Sequence, residues 1–183
     1  MSWTIDPAHT RATFSAKHMM ITNVHGQFNE VEGAVDFNEQ DPTRSTVDVK
    51  IVAASLNTHE EKRDAHLKSP DFFDVEKYPY LLFKSARVEK TSENTGRIYG
   101  DLTIRDMTKP VTLDVEYNGQ AKSPWGATSA GFTATTKVNR KDWDLNWNMA
   151  LETGGWLVGD TITINLEVEI VKQAAPEAQA VAA

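Results

Sequence analysis

The chain has 183 residues and 20.4 kDa, room for one domain and at most a small second one. Its 19 lysines and arginines against 26 aspartates and glutamates give a formal charge of −7. That balance argues against nucleic-acid binding and adhesion to an anionic membrane, and the lack of any cysteine excludes disulfides, thiolate nucleophiles, iron–sulfur clusters and Cys-ligated zinc.

The opening residues, Met1-Ser2-Trp3-Thr4-Ile5-Asp6-Pro7, lack the basic and apolar regions of a leader. No window reaches the about 18 apolar residues of a spanning helix, so the expected location is cytoplasmic without stable membrane insertion. Period-two alternation then begins. Ala12, Phe14, Ala16 and His18 share one strand face, opposite Arg11, Thr13, Ser15 and Lys17. Val31, Gly33, Val35 and Phe37 repeat the pattern, followed by Val47, Val49 and Ile51. A helix is predicted to open at Asn57-Thr58-His59-Glu60-Glu61, with Thr58 and Glu61 at capping-box spacing. Leu67 faces inward on that helix, Ser69-Pro70 ends it, and Asp71-Phe72-Phe73 places two aromatics in a turn.

Tyr80 to Glu89 reads as a strand interrupted by a bulge. Ile98/Gly100/Leu102/Ile104, Val111/Leu113/Val115 and Ala130/Phe132/Ala134/Thr136/Val138 follow, separated by turns predicted at 94–96, 106–110 and 123–126. An insertion from Trp143 to Asp160 carries Trp143, Trp147 and Trp156, which with Trp3 and Trp125 are read as cavity wall or barrel plug. Ile162/Ile164/Leu166/Val168/Ile170 is the last alternating run. The predicted domain spans 1–172, and the Ala/Pro-rich segment 173–183 is expected to be disordered.

About eight amphipathic strands joined by tight turns imply an all-β antiparallel barrel or sandwich; closure is preferred because it removes exposed edges. Ala12, Ala16, Gly33, Gly100, Ala130 and Ala134 fall on inward faces. Such small residues fit either a lumen or tight packing around larger neighbours.

Catalytic signatures are weak. At about 1.5 Å rise per residue, His59 and His66 stand about 10 Å apart along a helix, too far to share one zinc ion. Gly126-Ala127-Thr128-Ser129-Ala130-Gly131 misses a serine elbow by one position. Gly154-Gly155-Trp156-Leu157-Val158-Gly159 lacks the lysine of a phosphate loop. No catalytic residue, metal site or cofactor is expected.

The stretch Arg63-Asp64-Ala65-His66-Leu67-Lys68-Ser69-Pro70-Asp71-Phe72-Phe73-Asp74-Val75-Glu76-Lys77-Tyr78-Pro79, with Phe83 and Ser85, closely resembles the signature of the YceI family of lipocalin-like, polyisoprenoid-binding proteins. Trp3-Thr4-Ile5-Asp6 with His9, Phe14-x-Ala16-x-His18 and Gly26-Gln27-Phe28 resemble its N-terminal pattern. Gly100-Asp101-Leu102-Thr103-Ile104 and Arg140-Lys141-Asp142-Trp143 are similar to later motifs. Asp106 and Asp144 depart from the pattern, standing where glycine often occurs.

The resemblance implies an eight-stranded antiparallel lipocalin-like β-barrel, with one or two short helices beside it and a tunnel holding a long isoprenoid or similar lipid for storage or transport. Parity and motif together place Phe14, Ala16, His18, Phe28, Val35, Phe37, Val49, Ile51, Arg63, Leu67, Phe72, Phe83, Leu102, Ile104, Leu113, Phe132, Ala134 and Trp143 around that tunnel. His18, Arg63, Asp64 and His66 are candidates for the polar end of the ligand, although Arg63 and Asp64 equally fit an ion pair holding the helix to the barrel. Two other readings stay open: an enzyme acting on a prenyl or quinone-like lipid in the same tunnel, and a partner-binding stress protein with a filled core. A homodimer is compatible with the chain, with no interface stripe legible.

Overall fold

The computed structural model describes residues 3–172, so the tail expected at 173–183 lies outside the described residues. Eleven strands form one antiparallel sheet. They are β1 (Trp3–Ile5), β2 (Arg11–His18), β3 (Thr22–Phe28), β4 (Val31–Asp36), β5 (Thr46–Val52), β6 (Leu56–Asn57), β7 (Tyr80–Lys90), β8 (Thr95–Ile104), β9 (Met107–Lys122), β10 (Thr128–Asn139) and β11 (Val158–Lys172). The ring runs β1-β4-β5-β7-β8-β9-β10-β11 and closes where Ile5 pairs with Ile170 and Trp3 with Lys172. Among the described residues it is a closed eight-stranded antiparallel barrel with one helix and short 3-10 turns. β2 lies along the same edge of β11 as β1, and β3 and β6 extend that branch beside β4 and β5.

β1 and β3 were not among the predicted strands. Three residues are too few to show a period, and the apolar side of β3 is broken by Gly26. A Cβ there would fall inside the Phe14 ring of the neighbouring strand, so the position that should carry a hydrophobic residue instead receives one. The predicted bulge is present: register shifts between Ser85 and Arg87. The turn placed at 106–110 is corrected. Met107–Pro110 already pair with Asp101–Ile104, and the tight turn is Arg105-Asp106, with Arg105 in the left-handed region at φ 58°. The glycine-like geometry thus falls one residue before Asp106. Asp144 takes a left-handed φ of 58° where the 3-10 turn Arg140–Trp143 ends, the conformation for which glycine is favoured.

The helix α1 spans Glu61–Lys68, later than predicted. Glu60 is its N-cap, accepting from the Lys62 N–H at 3.1 Å and the Arg63 N–H at 2.6 Å. The Thr58–Glu61 capping box does not form: His59 has φ 61°, and the Thr58 hydroxyl is bonded to Asp64. Ser69 ends the helix, its N–H reaching the His66 carbonyl. One buried cluster gathers Phe28, Leu56, Leu81, Leu102, Ile104 and Trp143 under α1; another gathers Trp3, Ile5, Ala130 and Ile170 near barrel closure. Among the described residues, no helix is long and apolar enough to cross a membrane.

Candidate binding cavity

Alternation along each strand turns one row of side chains into the ring, and the lumen they surround is a mostly apolar cavity of about 810 Å³. Every residue expected around the tunnel lines it. Phe14, Ala16 and His18 come from β2, Phe28 from β3, and Val35 from β4, with Phe37 just beyond. Val49 and Ile51 project from β5, Phe83 from β7, Leu102 and Ile104 from β8, and Leu113 from β9. Phe132 and Ala134 project from β10. Arg63 and Leu67 of α1, Phe72 after it, and Trp143 complete the set.

The small residues divide into two groups. Ala12, Ala16 and Ala134 border the lumen. Gly100 does not open it, because an added Cβ would lie 2.6 Å from both the Phe83 ring and the Lys84 carbonyl. Gly33 is likewise occupied by Ile5 and the Asp48 backbone, and Ala130 packs with Trp3 and Ile170. The tryptophans divide as well. Trp143 is wall, its indole N–H donating 3.0 Å to the Leu102 carbonyl, and Trp147 also lines the cavity, whereas Trp125 and Trp156 are exposed and Trp3 is buried in the cluster at barrel closure, contrary to their reading as wall or plug.

At one end, Thr58 organises the polar groups of α1. The Arg63 guanidinium donates to the Thr58 hydroxyl at 2.8 Å and its carbonyl at 2.7 Å, while Asp64 accepts from the Thr58 N–H at 2.9 Å. The two charges meet through buried Thr58 rather than as a direct pair, and Asp64 faces this network rather than the lumen. His66 lines the cavity, holds Asp71 at 2.9 Å, and sets its ring edge-on to Trp147 with centroids 4.5 Å apart. Arg140, only 3% exposed, donates to the carbonyls of Leu145, Trp147, Val158 and Gly159 and to Asp160. Burial lowers its pKa and the Asp160 carboxylate opposes that shift.

At the other end, Glu39 accepts from Lys172 at 2.7 Å and Gln120 at 3.2 Å, and these bonds lower its pKa. Burial raises that of the nearby Tyr117 phenol, with the Glu39 charge adding to it. Asp6, His9 and Glu169 bring their ligand atoms within 4.8 Å of one another, a grouping with metal-ligand chemistry. Asp6 is already engaged by the Ala8 N–H and the His9 ring, both at 2.9 Å, which gives the group a place in the β1–β2 connection.

The expectation omitted much of the wall supplied by β11. Ile162, Ile164, Leu166 and Val168 all line the cavity, and the parity that exposed the other faces marks them too. Tyr117, also omitted, continues the parity of Val111, Leu113 and Val115 one step further along β9.

The YceI-like domain family model matches residues 3–170. A UPF0312 protein of Pseudomonas putida (strain W619) is 36% identical over 165 residues, covering 90% of this chain and 82% of that protein. The crystal structure of the Campylobacter jejuni YceI protein is similar at 34% identity and TM-score 0.75, over 86% of this chain and 90% of that one. A polyisoprenoid-binding domain from Saccharophagus degradans shares the fold at 10% identity and TM-score 0.64, over 93% and 98% of the two chains. With a match running from the first strand to the last, over a barrel built as its motifs imply, this chain belongs to the YceI-like domain family.

Proposed function

We propose that the barrel binds a long-chain isoprenoid or related amphiphilic lipid in its lumen and stores or carries it without catalysis. The observation that carries this reading is the apolar cavity of about 810 Å³ enclosed by the strands, within the range of ligand sites. Its kinship in fold to the Saccharophagus polyisoprenoid-binding domain supports the same ligand class. Each methylene taken from water contributes about 0.8 kcal/mol, so a long chain binds tightly through wall contacts alone. The head group is neutral or weakly polar on this reading. Arg63 is the motif cation suited to an anion, and its guanidinium is held by Thr58. His18, at the end of β2 and on the lumen, offers the ligand a hydrogen bond.

Mass spectrometry of an organic extract from purified protein tests the reading. A stoichiometric long-chain lipid, unchanged after hours with the protein, is the expected result. Conversion of the extracted lipid that disappears in His18→Gln points instead to an enzyme, and a barrel with nothing bound points to a partner-binding role.

A further inference from the structure

Two loops beside the cavity carry most of the exposed large apolar side chains of the described residues. The β2–β3 turn presents Met19, Met20 and Ile21, the last two 63% and 74% exposed. The segment before β11 presents Met149 and Trp156, the latter 56% exposed. The loops form one surface: the Met19 N–H donates 2.9 Å to the Leu157 carbonyl, the Leu157 N–H donates 2.9 Å to Met149, and Met20 packs against Gly155.

Three further observations identify what this surface meets. Met19 and Met20 stand at φ 50° and 64°, a backbone region unfavourable for bulky side chains, so the turn holds two thioethers outward at a conformational cost. The patch continues into the lumen, because His18 and Leu157, next in sequence to Met19 and Trp156, line the cavity. Its charge also differs from the whole. Residues 17–25 contain Lys17 and no carboxylate, and 147–157 contain only Glu152, so the two loops are formally neutral on a chain of −7. Long flexible apolar groups with one tryptophan, set beside residues that line an apolar cavity and lacking net charge, match the interface of a zwitterionic bilayer.

We propose that the barrel docks reversibly on a zwitterionic bilayer surface through Met19, Met20, Ile21, Met149 and Trp156, with the cavity mouth facing the lipid. The inference rests on the lipid-binding reading above, and docking is measured separately from loading. Trp125, 91% exposed at the β9–β10 turn, lies at the opposite end and serves as the control.

The test is co-sedimentation with phosphatidylcholine vesicles, with and without a quarter of phosphatidylglycerol. Wild type is expected to pellet with the pure phosphatidylcholine vesicles and no better with the anionic mixture. Met20→Glu/Ile21→Glu and Trp156→Glu should each lower the partition coefficient at least tenfold, whereas Trp125→Glu leaves it unchanged. Unfolding midpoints and extracted lipid are measured for each variant to show that barrel and loading survive. Ala134→Phe, which fills the lumen, is expected to lose bound lipid and keep vesicle docking, so failure of one proposal is distinguishable from failure of the other. Wild type left in the supernatant, binding only to the anionic mixture, or equal loss in Trp125→Glu overturns the proposal. A dimer in light scattering that dissolves in Ile21→Glu, without vesicle binding by wild type, assigns the surface to a second copy of the chain instead.

Discussion

At the end of the barrel near the β9–β10 turn, aromatic side chains on or next to strands pack together. Phe37, Tyr117 and Phe132 pack in mutual contact with ring centroids 5.2 to 5.8 Å apart, and Trp3 sets its edge on Phe37 at 5.8 Å. At the other end the strands stop, and the lining passes to α1 and to Leu145, Trp147 and Leu157 of the irregular segment 144–157. That irregular segment has one isolated bridge, Ala150 with Trp156, and its Leu145 and Trp147 carbonyls converge on Arg140. Ladder hydrogen bonds spread the stability of the first end over many residues. The second is held by two side chains, the Arg140 guanidinium and the Asn148 amide, and a few loop hydrogen bonds, the arrangement to expect where a ligand must pass, since openable regions come from the less cooperative parts of a fold.

The largest effect should therefore come from Arg140→Ala. It takes the guanidinium donor from the carbonyls of Leu145, Trp147 and Gly159, while Val158 keeps the Asn148 amide, and a loss of about 3–5 kcal/mol is expected in denaturant unfolding. The comparison sharpens if retained lipid falls even under conditions where the barrel remains folded. A change within about 0.5 kcal/mol would mean that the loop is held by something else.

Phe132→Ala tests the strand-built end. Removing a ring that touches both Phe37 and Tyr117 should cost about 3 kcal/mol, with the cavity enlarged rather than opened. Chemical denaturation gives the stability, and the extract assay should show weaker retention through lost wall contacts. A larger loss here than in Arg140→Ala would reverse the ranking of the two ends.

The same contrast explains what could be read from the sequence. Strand faces were legible because parity alone decides which side chains enter a barrel, and Phe14, Val49, Leu113 and Phe132 all border the lumen as their alternation requires. β3 was hidden because Gly26 gives up its volume to Phe14, a trade visible only once β2 and β3 are paired. Between a lumen and tight packing, Gly100 stays undecided in sequence for the same reason: its partner Phe83 lies on another strand. Arg140 belonged to a recognised motif, yet its partners are backbone carbonyls up to residue 159, and carbonyls leave no mark on residue type. The helix start was misplaced because Thr58, Glu60 and Glu61 all suit a cap, and the choice was made by Asp64 and Arg63 folding back on Thr58.

Ala134→Phe probes the wall between the two ends. Ala134 pairs with Leu166 and Val115 and borders the lumen, so a phenyl group there must occupy ligand space or push neighbouring strands apart. The expected cost is about 1–3 kcal/mol of stability, with bound lipid lost from the extract. Lipid retained at the wild-type level would remove this stretch of the lumen from the ligand's path.

The smallest effect belongs to the strand-built end and has a definite sign. The hydrogen bond from His9 to Asp6 raises the histidine pKa above its ordinary 6.5 and lowers the carboxyl below its ordinary 3.8. The histidine's contribution is fully present below pH 6.5 and disappears as pH rises through its raised value. The carboxylate's contribution is present above pH 3.8 and disappears as pH falls through its lowered value. Both operate together between those limits, tightening a connection whose Asp6 N–H also bonds the Glu169 carbonyl of β11 at 2.9 Å. Unfolding midpoints of wild type and Asp6→Asn, compared across pH, should differ most in weakly acidic solution and converge in alkali as His9 loses its proton. Both groups are close to solvent, and added salt should shrink the difference further. A gap that stays constant through neutral pH into alkali would show that Asp6 acts through its bond to the Ala8 N–H alone, leaving the strand ladder to hold this end without help from charge.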